Sequence, residues 1–314
     1  MVRSAPVLDR VMGPLVWASA RMMLLLRQMT PRNAPRSFGV LDRVGIYPLM
    51  DHYYEPLIKL SRLEKSLDEP RVIPGLDVDA EQGIRLLESL DPFAEMQDIP
   101  TEPRPGQRAY HYLNSFFGPL DAAALHAMIR RHRPRRIVEV GCGMSTLLAL
   151  RAEAMNGAGS CEHVCIEPYE APWLAELPVR LVRATAETAD VAMIESLEAD
   201  DILFIDSSHM IRPQGDVLTE VLAWLGRLKP GVVVHIHDVF TPRDYPIVLL
   251  RDHRFFWNEQ YLVEAFLAFN QHFEVLLPMY HMYLSQRDRL IARCPAQADP
   301  RMLPPTSFWF RRTG

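Results

Sequence analysis

The sequence predicts an α/β fold: a sheet of seven mostly parallel strands with helices on both faces, preceded by a mainly helical N-terminal appendage. Three observations carry this reading. From residue 121 onward, short apolar runs alternate with helical stretches, and strands that are apolar along their whole length belong in a parallel sheet covered on both sides. The first of these runs leads into a glycine-bearing loop at 141–145. Upstream, residues 98–106 hold Pro100, Pro103, Pro105 and Gly106, a run of chain breakers that reads as a linker. Residues 1–105 are therefore expected to form the appendage and linker, and 106–314 the main domain.

Bulk composition narrows the class. With 48% hydrophobic and 23% charged residues in 314, the chain has the make-up of an ordinary globular protein. A net charge of −5 and a pI near 6.1 give no global sign of nucleic-acid binding. Four cysteines (Cys142, Cys161, Cys165 and Cys294) include no CxxC pair and no zinc-type spacing, so reduced thiols in a cytoplasmic protein are expected. Charge is unevenly placed, however. Residues 1–43 carry seven arginines, among them Arg3, Arg10, Arg21 and Arg43, against Asp9 and Asp42, a local +5. The apolar stretch 11–26 within this segment is too short and too interrupted to span a bilayer. It also lacks a signal-peptide cleavage site. Its candidate partners are the protein's own core, a second subunit (self-association), or a membrane surface that a basic amphipathic helix would touch peripherally.

Taken in order, residues 79–96 predict a helix, with Asp79 as N-cap and Ile84, Leu86, Leu87 and Leu90 at helical spacing. Residues 122–133 predict another, whose basic end suits the negative pole of the helix dipole. Strands are expected at 136–140, 163–167, 179–183, 201–206 and 232–237. Helices are expected at 145–155 and 215–228. A helix over about 258–270 then leads to the sixth and seventh strands, 273–277 and 307–311.

Ligands of open parallel sheets bind beyond the carboxyl ends of the strands, where strand order reverses. Three segments meet there. The first is IVEVGCGMS at 137–145, where Gly141 and Gly143 allow a sharp strand-to-helix turn and close approach to a ligand. Thr146 stands where a nicotinamide fingerprint requires glycine, and no lysine supplies a Walker loop. An acid, Glu139, just ahead of the glycines suits a cationic ligand group. The second segment ends in Glu167, 28 residues after Glu139, placed to accept two ribose hydroxyls. The third, DILFIDSSH at 201–209, ends in Asp206 with His209 beyond it, and the next strand ends in His237 and Asp238.

This combination resembles the class I methyltransferase family, which carries a Rossmann-like sheet. The nearest subgroup is bacterial, with strand tips FIDSSH (204–209) and HIHD (235–238) and a WNEQY helix (257–261). The resemblance covers about two thirds of the chain, residues 110–312. It implies S-adenosylmethionine as cofactor, with Glu139, Gly141, Gly143 and Ser145 at its methionine end, Glu167 at the ribose, residues 186–187 near adenine, and Asp206 beside them. Ser145 departs from the fullest glycine motif, as several O-methyltransferases do.

Methyl transfer to a hydroxyl needs an aligned acceptor and a sink for its proton. Two arrangements compete at the tips of strands four and five. In one, His209 or His237 is the base, oriented by Asp206 or Asp238; a histidine's ordinary pKa of about 6.5 suits the task. In the other, Asp206 and Asp238 hold a divalent metal such as magnesium. Catechol-type relatives add an Asn after the second acid, but Val239 stands there, so the histidine arrangement is preferred. His235 points to the other strand face from Asp238 and is expected to be a packed, hydrogen-bonded core residue. The acceptor pocket is expected from 110–117, 244–246 and 257–261, with 51–56 closing over it. The reading is thus an O-methyltransferase for a hydroxylated small molecule, a sugar among the candidates. N-methyl transfer, a non-catalytic ligand-binding domain and a dinucleotide oxidoreductase are the alternatives.

Overall fold

The computed structural model describes residues 5–314, with side chains from Leu8 onward; Arg3 of the basic segment lies outside the described residues. The chain divides into two compact units, Met1–Ser66 and Leu67–Gly314.

The smaller unit is a long helix, α1 (Ala5–Asn33), and a short one, α2 (Pro35–Val44), followed by irregular chain. Thr30, with φ of 64°, breaks α1 near its end. Gly45 stops α2 in the left-handed conformation, its N–H donating to the carbonyls of Leu41 and Asp42, a C-terminal arrangement that favours glycine. In the following segment Glu55 pairs with Arg27, and Asp51 with Lys59 and Arg62. Leu41 is the one buried residue among the described residues of this unit.

The larger unit opens with α3 (Ala80–Leu90), whose first turn is capped by the Asp79 carboxylate accepting from the Gln82 N–H at 3.0 Å, as expected of such an N-cap. Asp91, at φ 40°, ends the helix ahead of Pro92, so the stretch expected as one helix to 96 is divided. Ile84 and Leu87 of α3 are buried in the same core as the sheet. Packing therefore sets the boundary at 66/67, not at 105/106. The proline-rich stretch 101–106 is an exposed crossing within the larger unit, because the apolar stripe of α3 found its partner downstream of it.

Strands β1 (Arg136–Val140), β2 (Glu162–Ile166), β3 (Arg180–Val182), β4 (Ile202–Ile205), β5 (Val233–Ile236), β6 (Phe273–Pro278) and β7 (Phe308–Arg312) form one sheet in the order β3-β2-β1-β4-β5-β7-β6. β1 to β5 are mutually parallel, and β7 runs antiparallel to β5 and β6. All seven expected strands are present within a residue or so of their expected limits. The helices are α4 (Pro119–His132), α5 (Met144–Asn156), α6 (Ala192–Glu195), α7 (Asp216–Leu218, continued by looser turns to Arg227), α8 (Glu259–Leu267) and α9 (Met279–Arg293). The sequence reading did not anticipate α9, which mixes apolar, aromatic and charged residues without a clean stripe.

Alternation along the strands divides the core into two layers. Ile137, Ile202, Phe204 and Val233 face one side, with α4 and α5 residues. Val138, Val140, Leu203, Ile205 and Ile236 face the other, with Trp224, Val263 and Phe310. Large side chains such as Trp224, Trp309 and Phe204 are essentially fully buried, and burying an apolar side chain of this kind is worth about 1.5–3 kcal/mol. Strand order reverses between β1 and β4, which places the crevice for a ligand at the tips of β1, β2 and β4.

Candidate active site

At the tip of β1 the chain turns through Gly141 and Gly143 into α5. Gly141 has φ of 76°, and a Cβ there would lie 1.9 Å from the Asp206 carbonyl oxygen, so no other residue fits without moving the β4 tip. Gly143 is extended, and a Cβ there would meet nothing within 4 Å. The space above it is open, which suits a bound group lying against the loop. Thr146 Oγ1 accepts from the Gly143 N–H at 3.0 Å and fixes the start of α5. Glu167, just past β2, accepts from the Cys142 N–H at 3.2 Å and from the Tyr169 N–H at 2.8 Å, which ties the β2 tip to the glycine loop.

These elements surround a cavity of about 400 Å³ lined by Gly141, Glu167, Ala186, Glu187, Asp206 and Arg212, among others. The volume falls within the usual range for small-molecule sites. Gly141, Glu167, Asp206 and residues 186–187, all singled out from sequence, are brought together here.

Glu139 is placed differently. It shares a strand face with Ile137, beneath α5, and is 0% exposed. Its carboxylate accepts from Ser145 Oγ at 2.6 Å and lies 2.8 Å from His163 Nε2, while His163 Nδ1 meets Glu153 at 2.7 Å. The expectation that Glu139 and Ser145 present polar groups to a ligand is corrected by strand alternation: the penultimate residue of β1 turns inward. Burial alone would lower the His163 imidazole, but hydrogen bonds with Cys165, Glu139 and Glu153 outweigh it and hold its pKa well above the usual value. The result is a sealed ionic network under the loop. All four cysteines are free thiols.

The tips of β4 and β5 carry the second half of the site. His209 Nε2 lies 3.3 Å from Asp206 Oδ1 and 3.4 Å from Asp238 Oδ2, and His209 Nδ1 lies 2.8 Å from Glu259 Oε2. One ligand atom each from Asp206, His209 and Asp238 lies within 4.8 Å of the others. His209 and Asp238 both have left-handed backbones, φ 58° and 55°. For non-glycine residues this costs on the order of 1 kcal/mol or more and is concentrated at functional sites. The His209 strain is held by α8, because the Asn258 and Glu259 N–H groups both donate to its carbonyl. Burial works against a charged His209, yet hydrogen bonds to Asp206 and Glu259 and the Asp238 charge hold its pKa well above normal. Asp206 is pushed up by burial but drawn below the ordinary carboxylate range by His237 and His209.

His237 is not at the rim. It is 3% exposed, packs on Phe117 at 5.0 Å between ring centroids, and turns Nε2 toward Thr306 Oγ1 at 3.4 Å. Thr306 Oγ1 in turn donates to Asp238 Oδ1 at 3.1 Å. His237 thus stands behind Asp238, and its expected role as a base facing an acceptor does not match this position. His235 is packed as expected, stacked 4.0 Å from Phe204. Neither of its ring nitrogens has a hydrogen-bond partner, contrary to the expectation, and burial pushes its pKa well down.

Among the aromatic segments, Tyr110 and Phe117 belong to the core, and Tyr245 is buried, accepting from the Gln260 N–H. Phe116 and Tyr261 are exposed, and Trp257 is half-buried with its ring 4.5 Å from that of His209. Residues 51–56 belong to the smaller unit. Sequence reasoning missed Glu259 and Thr306 as supports of the rim. Glu259 lies in the WNEQY stretch expected at the acceptor pocket, which does not by itself show that it faces His209.

Residues 138–239 match a family model described as a methyltransferase domain. An uncharacterized protein of Archaeoglobus fulgidus is 28% identical over 163 residues, covering 48% of this chain and 74% of that one. Among solved structures, the SAH-bound methyltransferase PaMTH1 of Podospora anserina is similar at TM-score 0.39, with 16% identity over 77% of this chain and 91% of the other. The SAM complex of the O-methyltransferase TomG of Streptomyces achromogenes gives 0.36 and 17%, over 76% and 92%. The family match spans the glycine loop, Glu167, Asp206, His209 and Asp238. Residues 138–239, about a third of the chain, thus match a methyltransferase domain.

Proposed function

We propose that the protein is a methyltransferase that takes its methyl group from S-adenosylmethionine and delivers it to a hydroxyl oxygen of a small-molecule acceptor, with Asp206, His209 and Asp238 holding a divalent cation at the acceptor. The observation that carries the reading is the convergence of these three donors at the tips of β4 and β5, with the far nitrogen of His209 fixed by Glu259. A carboxylate on one ring nitrogen orients the other toward a metal in many sites.

The residues on the cofactor side fit the group. Open space over Gly143, the Glu167 carboxylate and the cavity beside Ala186 and Glu187 would hold methionine tail, ribose and base in that order. S-adenosylmethionine supplies a sulfonium methyl, which needs only an in-line nucleophile. A divalent cation supplies Lewis acidity, which lowers the pKa of a nearby hydroxyl. The chain's own contribution is positional: Glu259 and Thr306 hold His209 and Asp238, and the Trp257 ring offers a flat wall to a ring-shaped acceptor, a sugar included. A metal-free histidine base is disfavoured by geometry, because both ring nitrogens of His209 already face carboxylates.

Two titrations test the reading separately. Calorimetry with S-adenosylhomocysteine is expected to show saturable binding; none at millimolar concentration would remove the cofactor assignment. Electron paramagnetic resonance with Mn²⁺ is expected to show a bound ion that Asp206→Asn and Asp238→Asn each abolish. Full activity in EDTA, lost on His209→Ala, would restore the histidine base.

A further inference from the structure

The smaller unit cannot stabilise itself by a core. Of its described residues only Leu41 is buried, whereas Leu8, Val11, Leu15, Trp17, Met22 and Met29 of α1 are each between 47% and 68% exposed. Leu8, Val11, Leu15, Met22 and Met29 recur at intervals of three, four and seven, so they share one helix face. At about 1.5 Å per residue the strip from Leu8 to Met29 is about 32 Å long. Folded chains rarely leave a patch of this kind uncovered.

Charge decides what covers it. The unit carries ten Lys and Arg against five Asp and Glu, a net +5, while Leu67–Gly314 carries 24 against 34, a net −10. Arg10 and Arg21 flank the apolar strip, roughly 100–125° round the helix from its centre, and Arg32, Arg36 and Arg43 follow. A second copy seated on α1 would bring these like charges together. An anionic lipid surface takes both features at once. Beyond α2, Tyr47, Tyr53 and Tyr54 are 66–81% exposed, and exposed tyrosines of this kind settle at the level of lipid headgroups. No helix among the described residues is long and apolar enough to cross a membrane, so contact would be in the plane of the interface.

We propose that α1 and the basic segment after it bind the surface of an anionic phospholipid bilayer, lying along it without spanning it. The full chain should co-sediment with phosphatidylcholine vesicles containing phosphatidylglycerol, more weakly with phosphatidylcholine alone, and less as salt is raised. Arg10→Gln, Arg21→Gln and Arg32→Gln together should lower the partition coefficient roughly tenfold or more. Leu15→Glu with Met22→Glu should abolish binding while leaving S-adenosylhomocysteine affinity unchanged, a control that the larger unit is folded. Absence of vesicle binding, or binding that neither set of variants reduces, overturns the proposal. So does sedimentation of the vesicle-free chain as a dimer that Leu15→Glu with Met22→Glu makes monomeric, which would assign the strip to a second copy.

Discussion

The two halves of the site are built on opposite principles. At the tips of β1 and β2 the ligand-facing surface is mostly backbone: two glycines, a helix start and one carboxylate, with the ionic residues Glu139, His163 and Glu153 sealed beneath it. At the tips of β4 and β5 the carboxylates Asp206 and Asp238 are partly exposed around a buried His209, and His209 and Asp238 sit in left-handed backbone. The first half can bind a cofactor by shape and N–H donors. On the proposed function, the second concentrates charge where a proton must leave. On that reading binding and chemistry are divided between two pairs of strands, and each can be disabled separately.

The largest effect is expected on the charged side. Asp238→Ala should lower methyl transfer, followed as S-adenosylhomocysteine release, by about three orders of magnitude while changing cofactor affinity less than tenfold. Loss of both together would mean that the halves are not separable. Next comes Gly141→Ala, where the added Cβ meets the Asp206 carbonyl at 1.9 Å and φ is 76°. Strain and displacement should cost about 3 kcal/mol of unfolding free energy in urea melts. Glu139→Gln should cost about 2 kcal/mol by leaving a buried partner imperfectly matched, with a smaller loss of S-adenosylhomocysteine affinity than Glu167→Gln. The reverse order in calorimetry would return Glu139 to the ligand. Gly143→Ala should leave stability within about 1 kcal/mol and yet weaken cofactor binding, because its Cβ would occupy open space rather than protein.

The smallest effect is a pH dependence. The folded His163 pKa is raised well above the unfolded value of about 6.5. Its contribution to stability is therefore complete below about pH 6.5 and is lost as pH rises through the folded pKa. A series of urea melts from neutral to alkaline pH should show this decline in the wild type and a flatter profile in Glu153→Gln. Identical profiles would show that the network does not hold the proton.

Much of the sheet was legible because strands covered on both faces declare themselves as short, mostly apolar runs, and the antiparallel β7 did so as well. The domain boundary was not, because proline content marks an exposed crossing without showing whether the chain on either side shares a core. Helix α9 escaped for a related reason: its residues face partners on more than one side, which erases the single stripe that periodicity detects.

By itself, the sequence determined the strand-to-loop turn at Gly141–Gly143, the acid after β2, and the polar tips FIDSSH and HIHD. These are local consequences of backbone freedom and of a two-residue strand period. Only the tertiary structure decided which acids face a ligand. Glu139 turns inward because His163, 24 residues away, waits on the neighbouring strand. His209 is fixed by Glu259 across 50 residues, and Asp238 is supported by Thr306 across 68. A carboxylate's role depends on what stands opposite it. That partner is chosen by sheet order and helix packing, which leave no mark in the residues beside it.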